Sequence, residues 1–300
     1  MKSEIKTTYK SNYTEEFLDK IFYRPVGYLI AIASRLVRLT PNTITTLSIL
    51  VGVAAGHLFY YEDMKLNIYG ILLLILAEAM DSADGQLARM TDTKSRYGRI
   101  LDGLGGNLWF VSIYLHLILR LINTGASPWI FVMAIVAGVS HSLQSAMADY
   151  YRNYFVLFTS GKSNSEIDKS TAMKELYNQL SWTKNFYRKT LMRIYVNYTV
   201  EQETFAKNLI KLAEMAREKY GDNFPGWLGD NYSSLNRHLI KYFNILTTNT
   251  RMIVLFISLF IGMPILYWIF ELTVLNLLLI YVVYKQESNS KYLLTIIDED

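Results

Sequence analysis

Residues 80–89 read MDSADGQLAR and follow the apolar run YGILLLILAEA without a break. Asp81 and Asp84 stand three apart, so on a helix they share one face, with Cβ atoms roughly 5–6 Å apart. Two carboxylates that close repel each other, and near a bilayer each costs several kcal/mol unless it is paired or metal-bound. A hard divalent cation answers both problems, because oxygen ligands suit Mg²⁺, Mn²⁺ or Ca²⁺. Gly85 removes a side chain beside the pair, and Ala88 is small and one turn further along the same stripe. Together they would let a bulky ligand lie against the backbone, or let another helix pack closely. A third acid, Asp102, sits in GRILDGLGGN, about one turn past Gly98. If the two segments form an antiparallel helical hairpin, Asp102 can face Asp81 and Asp84. Three acidic ligands then leave room for a phosphate-bearing ligand, and a pair of metals could bridge a diphosphate. The plainer alternative makes the aspartates helix caps or ion-pair partners of Arg89, Arg96 and Arg99.

The elements that would carry these residues are membrane helices. The chain has 300 residues, 51% hydrophobic and only 19% charged, with a mean hydropathy of +0.15. That is greasier than a soluble domain and too polar for a chain wholly within lipid. A spanning helix needs about 20 mostly apolar residues. About six segments are candidates: 40–61, 66–88, 98–122, 128–158, 252–270 and 273–284, the last one short and continuing from its neighbour through a tight turn at 271–273. Before them, EEFLDKIFYRPVGYLIAIASRLVRL mixes apolar residues with Lys20, Arg24, Arg35 and Arg38, the pattern of an amphipathic helix in the membrane interface. The expected fold is therefore an all-α integral membrane protein with about six transmembrane helices and an N-terminal interfacial helix. Residues 1–158 hold that helix and spans one to four, 159–246 a helical cytoplasmic insert, and 247–300 the last two spans and the tail.

Lys and Arg crowd the N-terminal segment, the connection between spans two and three, and the polar region after Phe158. EDMKLN and NTGAS, on the other side, are poor in them. The positive-inside rule then places both termini and the motif in the cytoplasm. The first residues, MKSEIKTTYKSNYTEEF, lack the apolar core of a cleavable signal peptide. There is no cysteine, hence no disulfide or thiolate chemistry, and the four histidines show no zinc spacing. In the insert, KELYNQLSWTKNFYRKTLMRIYVNY and VEQETFAKNLIKLAEMAREKYG carry apolar residues near helical spacing, with Gly221 as a C-cap and NFPGWLGDN as a loop. Its aromatics, among them Trp182, Phe186 and Tyr187, are expected to pack a small helical subdomain rather than meet lipid.

Asp81-x-x-Asp84-Gly85-x-x-Ala88-Arg89, eight residues, then Gly98-x-x-x-Asp102 resembles the signature of the CDP-alcohol phosphotransferase family. TPNTIT, from Thr40, resembles the opening of that family's first membrane helix. Physically it reads as Thr40 at the N-cap and Pro41 in the first turn. The resemblance covers roughly the first half of the chain, and the insert has no counterpart in it. It implies a metal-dependent membrane enzyme of phospholipid biosynthesis. A CDP-alcohol donor such as CDP-diacylglycerol would bind through its diphosphate to Mg²⁺ or Mn²⁺ held by Asp81, Asp84 and Asp102. The hydroxyl of an alcohol acceptor would attack the β-phosphorus, releasing CMP. Gly85 and Ala88 would admit the cytidine nucleotide, and Arg89 would meet its phosphates. Membrane lipids and a homodimeric assembly are compatible partners; no nucleic acid is expected.

One departure matters. The family pattern has a further Asp four residues after the third, the usual candidate for general base, and here that position is Gly106, followed by Asn107. On a regular helix a four-residue step stays within about 40° of the same face, whereas a five-residue step lies about 140° off. Asn107 takes the place of the missing base only if a bulge at Gly105 and Gly106 brings it round. An amide could ligate a metal but cannot accept the proton. The alternative function is thus a catalytically impaired relative that binds CDP-lipid. The fourth span carries a second polar set, Ser140, His141, Gln144, Asp149, Tyr150 and Arg152. His141 and Gln144 suit either a cavity or inter-helix hydrogen bonds. Arg152 and Arg251 would hold an acidic acceptor or lipid phosphate, or simply snorkel to headgroups.

Overall fold

Short capping side chains start the three helices that matter most. Thr40 Oγ1 accepts from the Thr43 amide at 3.2 Å and opens α2 (Pro41–Leu58). Asp63 Oδ1 accepts from Lys65 at 2.7 Å and opens α3 (Met64–Met90). Ser95 Oγ accepts from Gly98 at 3.0 Å and opens α4 (Arg96–Asn123). Each satisfies an amide left orphaned by the missing preceding turn. In this computed structural model residues 14–160 and 167–299 are described, and their regular structure is entirely helical. The segment read as lacking a signal peptide lies largely outside the described residues.

Before α2 a π-helical turn, Asp19–Tyr23, leads into α1 (Arg24–Leu36). After α4 come α5 (Trp129–Ser160), α6 (Ser170–Gln179), α7 (Phe186–Phe205), α8 (Lys207–Tyr220), α9 (Gly226–Asn236), α10 (Ile240–Ile245), α11 (Thr248–Phe260), α12 (Ile265–Phe270) and α13 (Asn276–Glu299). Five stretches are long and apolar enough to cross a membrane: Met64–Met90, Arg96–Asn123, Trp129–Ser160, Gly226–Phe260 and Ile265–Glu299. The chain is a multi-pass, all-α membrane protein. The expected first span is the helix α2, but its polar PNTITT opening and His57 keep it out of that set.

The chain forms two compact units. The first is Met1–Ser140 with Arg251–Leu272. Here small residues set the helix spacing, as expected where lipid offers no hydrophobic drive between helices. A Cβ on Gly52 would lie 2.2 Å from the Trp109 ring, and one on Gly56 would lie 2.8 Å from the Ile113 amide, so α2 and α4 meet nearly backbone to ring. A Cβ on Gly27 would lie 3.1 Å from the Ala83 amide, which is how α1 presses against the motif-bearing end of α3. Gln86 Nε2 fastens that contact by donating to the Arg24 carbonyl at 3.1 Å. The opposite face of α1 leaves Leu29, Ile32 and Leu36 exposed beside Arg35, as an interfacial helix should.

The ends of the last two expected spans need correction. The chain does not turn at 271–273. It turns after α11, where Gly262 takes φ +76° and Pro264 starts α12. Residues 252–270 are therefore not one span. Glu271 stands at the first position of the expected turn. It lies instead in a π-helical segment, Glu271–Leu275, fully buried and held by Arg251 Nε at 3.1 Å, with the Tyr114 hydroxyl donating to its other oxygen. Arg251 is thus committed to a buried ion pair and does not snorkel. Breaking such a pair from one side strands a charge and costs about 3–5 kcal/mol. Glu271→Gln is expected to lower the thermal midpoint of the purified protein markedly. Glu271→Leu combined with Arg251→Met should recover most of the loss; equal midpoints for parent and single variant would show that the pair contributes nothing.

The second unit is His141–Thr250 with Thr273–Asp300. Gln144 Nε2 donates to Asn276 at 2.8 Å, and Glu287 caps α8 by accepting from the Asn208 amide at 2.6 Å. Gly221 ends α8 with φ +69°, as its position suggested. NFPGWLGDN is loop only in its first half, because α9 begins at Gly226. Gly229 is helical, and a Cβ there would lie 2.7 Å from the Phe158 carbonyl, so its glycine serves close packing rather than a turn. The two long apolar patterns of the insert are each interrupted, between α6 and α7 and again at Ala206.

Candidate active site

The turn between α3 and α4 is short, 91–95, so the two helices run as the antiparallel hairpin that the motif requires. Asp81 and Asp84 lie on α3 and Asp102 on α4. Each brings one carboxylate oxygen within 4.8 Å of the others. The cluster sits about 9–14 Å in from the hairpin's turn, counting 1.5 Å per residue. Asp81 and Asp102 act on each other electrostatically across the hairpin. Ionised carboxylates that close repel one another, and a cation between them would relieve the repulsion. Asp81 Oδ1 is buried without a hydrogen-bond partner and would lie 3.6 Å from a Cβ on Gly105, which places it against the α4 backbone. An orphaned buried oxygen beside two further carboxylates is a donor set suited to Mg²⁺ or Mn²⁺.

Two groups were not singled out from the sequence. Thr45, one turn into α2, donates its hydroxyl to Asp84 Oδ2 while Asp84 is almost fully buried. That bond fixes one carboxylate orientation from a third helix. Glu78, one turn before Asp81, is half-buried and within electrostatic reach of both Asp81 and Asp102. The signal for each was available. Thr45 follows Pro41 by one helical turn, and Glu78 continues the three-residue step Asp84, Asp81 back along α3.

Gly85 does not serve helix packing. The nearest atoms to a Cβ there belong to Arg89, with Nη1 at 3.5 Å, so the guanidinium lies over the glycine and its charge acts on Asp84. Ala88 is half-buried beside it. A cavity of about 410 Å³ opens at the same end of the helices, lined by Arg35, Arg38, Thr40, Asn42, Thr91 and Ser95 among others. None of the three aspartates lines it; Asn42 is three residues before Thr45.

The expected bulge is absent. α4 is unbroken α-helix across Gly105 and Gly106, so Asn107 keeps its regular register and its amide donates back to the Gly103 carbonyl at 3.2 Å. Gly106 shares the face of Asp102, and a Cβ there would meet nothing within 4 Å. Of the polar set on α5, His141 and Gln144 are buried, Asp149 accepts from Asn153 at 3.2 Å, and Arg152 reaches Asn244 at 3.5 Å.

No curated protein and no solved structure matches the chain. Residues 38–160 match the model of the CDP-alcohol phosphatidyltransferase family. The span holds Thr45, Glu78, the three aspartates and the Gly106 position, and ends where α5 ends. The likeness to that family covers residues 38–160, 123 of the chain's 300.

Proposed function

We propose that the site transfers a phosphoalcohol group, such as phosphatidyl from CDP-diacylglycerol, to the hydroxyl of a second alcohol in phospholipid biosynthesis. The observation that carries this reading is the trio Asp81, Asp84 and Asp102 converging within 4.8 Å inside the matched segment. These three residues would hold Mg²⁺ or Mn²⁺, which when bound supplies positive charge to the donor's diphosphate. Thr45 orients Asp84, and Arg89 adds charge over a glycine that keeps the backbone approachable. The acceptor oxygen bonds to the β-phosphorus, the bond from that phosphorus to the bridging oxygen breaks, and CMP leaves with the electron pair. We assign the acceptor's proton to Glu78, since the family's usual position carries Gly106. The test is CMP release by the purified chain from a panel of CDP-alcohols and acceptors, with and without chelator.

Gly106 favours a second reading, a relative that binds CDP-lipid without turning it over. Donor binding with no CMP release for any acceptor would establish that reading over the first.

The site is proposed to open to the cytoplasm, on the balance of Lys and Arg between the connections. The chain has no cysteine, so Thr91→Cys, in the turn before α4, and Thr124→Cys, directly after α4, report cleanly. Thr91→Cys is expected to react with an impermeant maleimide only after the cytoplasmic face is opened, and Thr124→Cys in intact cells. The reverse pattern inverts the topology.

A further inference from the structure

We propose that the corner joining α6 to α7 is a membrane-docking surface that seats in an anionic headgroup layer. The insert's aromatics do not all pack inward as the sequence suggested. Trp182 is 45% exposed, Phe186 67%, Tyr187 60% and Ile194 43%. They are held in place nonetheless. Lys189 Nζ donates to the Leu180 carbonyl at 2.6 Å and lies 4.6 Å from the Tyr177 ring centre and 5.4 Å from that of Trp182. The Trp182 and Phe186 rings are 5.9 Å apart. The corner is therefore an ordered apolar platform with its outer side open.

The wheel of α7 extends it. Leu191, Met192, Val196 and Thr199 are buried, while Tyr187 and Ile194, seven residues apart, are exposed on the side away from Met192 and Val196. Arg188 follows Tyr187 and Arg193 precedes Ile194, so each stands about 100° round from that face, one on either flank. Residues 176–200 contain Lys184, Arg188, Lys189 and Arg193 and no Asp or Glu. An apolar strip between cations, with Trp and Tyr at its edge, is the composition of a helix lying in an interface.

Charge and residue type give the occupant. The far half of α7 is bonded to α5, with Gln202 Nε2 donating to the Ala146 carbonyl at 3.0 Å and the Tyr151 hydroxyl to the Phe205 carbonyl at 3.4 Å. α7 is thus anchored on α5, and its exposed aromatic residues, with cations and no acid among residues 176–200, suit lipid phosphates.

The test uses the full chain in nanodiscs of phosphatidylcholine alone or mixed with phosphatidylglycerol. Tyr187→Cys, labelled with an environment-sensitive fluorophore, is expected to blue-shift in the anionic discs. It should be quenched there by lipid carrying a nitroxide near the headgroup and protected from aqueous iodide. Arg188→Gln and Arg193→Gln should each lower the inserted fraction's equilibrium constant about fivefold, and raised salt should mimic them. Equal iodide quenching in every disc would overturn the proposal, the corner then standing in water. Protection from both quenchers that grows with the number of copies per disc would overturn it in favour of a protein contact.

Discussion

Asp81→Asn is expected to lower CMP release and Mn²⁺ affinity on the order of 10²-fold or more, since even residues that merely orient a metal's ligands are worth about 10–100-fold. Asp84→Asn should do the same, and Thr45→Val, which frees the Asp84 carboxylate, should fall in the lower range. The change is isosteric, so the hairpin persists, and stability carries an independent readout. Three converging carboxylates repel one another, and Asp81 Oδ1 is buried without a partner. In chelator, Asp81→Asn should therefore melt no lower than the parent. In Mn²⁺ at about 100 times its dissociation constant, the parent should gain about 2.7 kcal/mol by linkage and the variant almost none. CDP-alcohol binding and thermal midpoint both indifferent to chelation would rule out a cation held by these residues.

How far this site was legible in the sequence depends on what kind of signal each residue leaves. The trio was readable because i, i+3 spacing on a helix and a short turn leave little geometric freedom, so Asp102 had to come opposite Asp81 and Asp84. Gly85 was legible as a gap, but not what occupies it, because Arg89 folds back from the next turn. Asn107 was misplaced by allowing glycines to bend a helix. Glycine permits a bulge, yet here Gly105 and Gly106 keep α-helical geometry while Ile49 and Asp81 stand opposite Gly105. The helical setting of Glu271 was not legible. A charge in an apolar run signals a loop only when no partner is available, and Arg251, twenty residues earlier, cannot be paired with it from local pattern. The exposed faces of Trp182, Phe186 and Tyr187 were equally hidden, since aromatic content is the same whether a ring packs inward or meets a headgroup.

Glu78→Gln is expected to reduce turnover about 10²–10⁴-fold, the usual worth of a positioned base, with donor affinity nearly unchanged. The expectation follows from what α4 does not provide. Asn107 points off the Asp102 face and cannot take a proton, and Gly106 has no side chain. Glu78 acts electrostatically on both Asp81 and Asp102 from the neighbouring turn of α3. The space beside Gly106 makes the complementary experiment clean, because a new side chain there meets nothing within 4 Å. Gly106→Asp in the Glu78→Gln background should recover much of the lost CMP release, whereas Asn107→Asp should recover little, being about 140° from the Asp102 face. The pH profile separates proton transfer from mere positioning. A base moved from one helix to another should shift the acidic limb of kcat, while a restored packing contact would raise kcat without moving that limb. If Glu78→Gln turns over as fast as the parent, the proton leaves by another group. If Gly106→Asp alone raises the parent's rate by the full factor, the native chain works without a positioned base, and Glu78 serves only the field around Asp81.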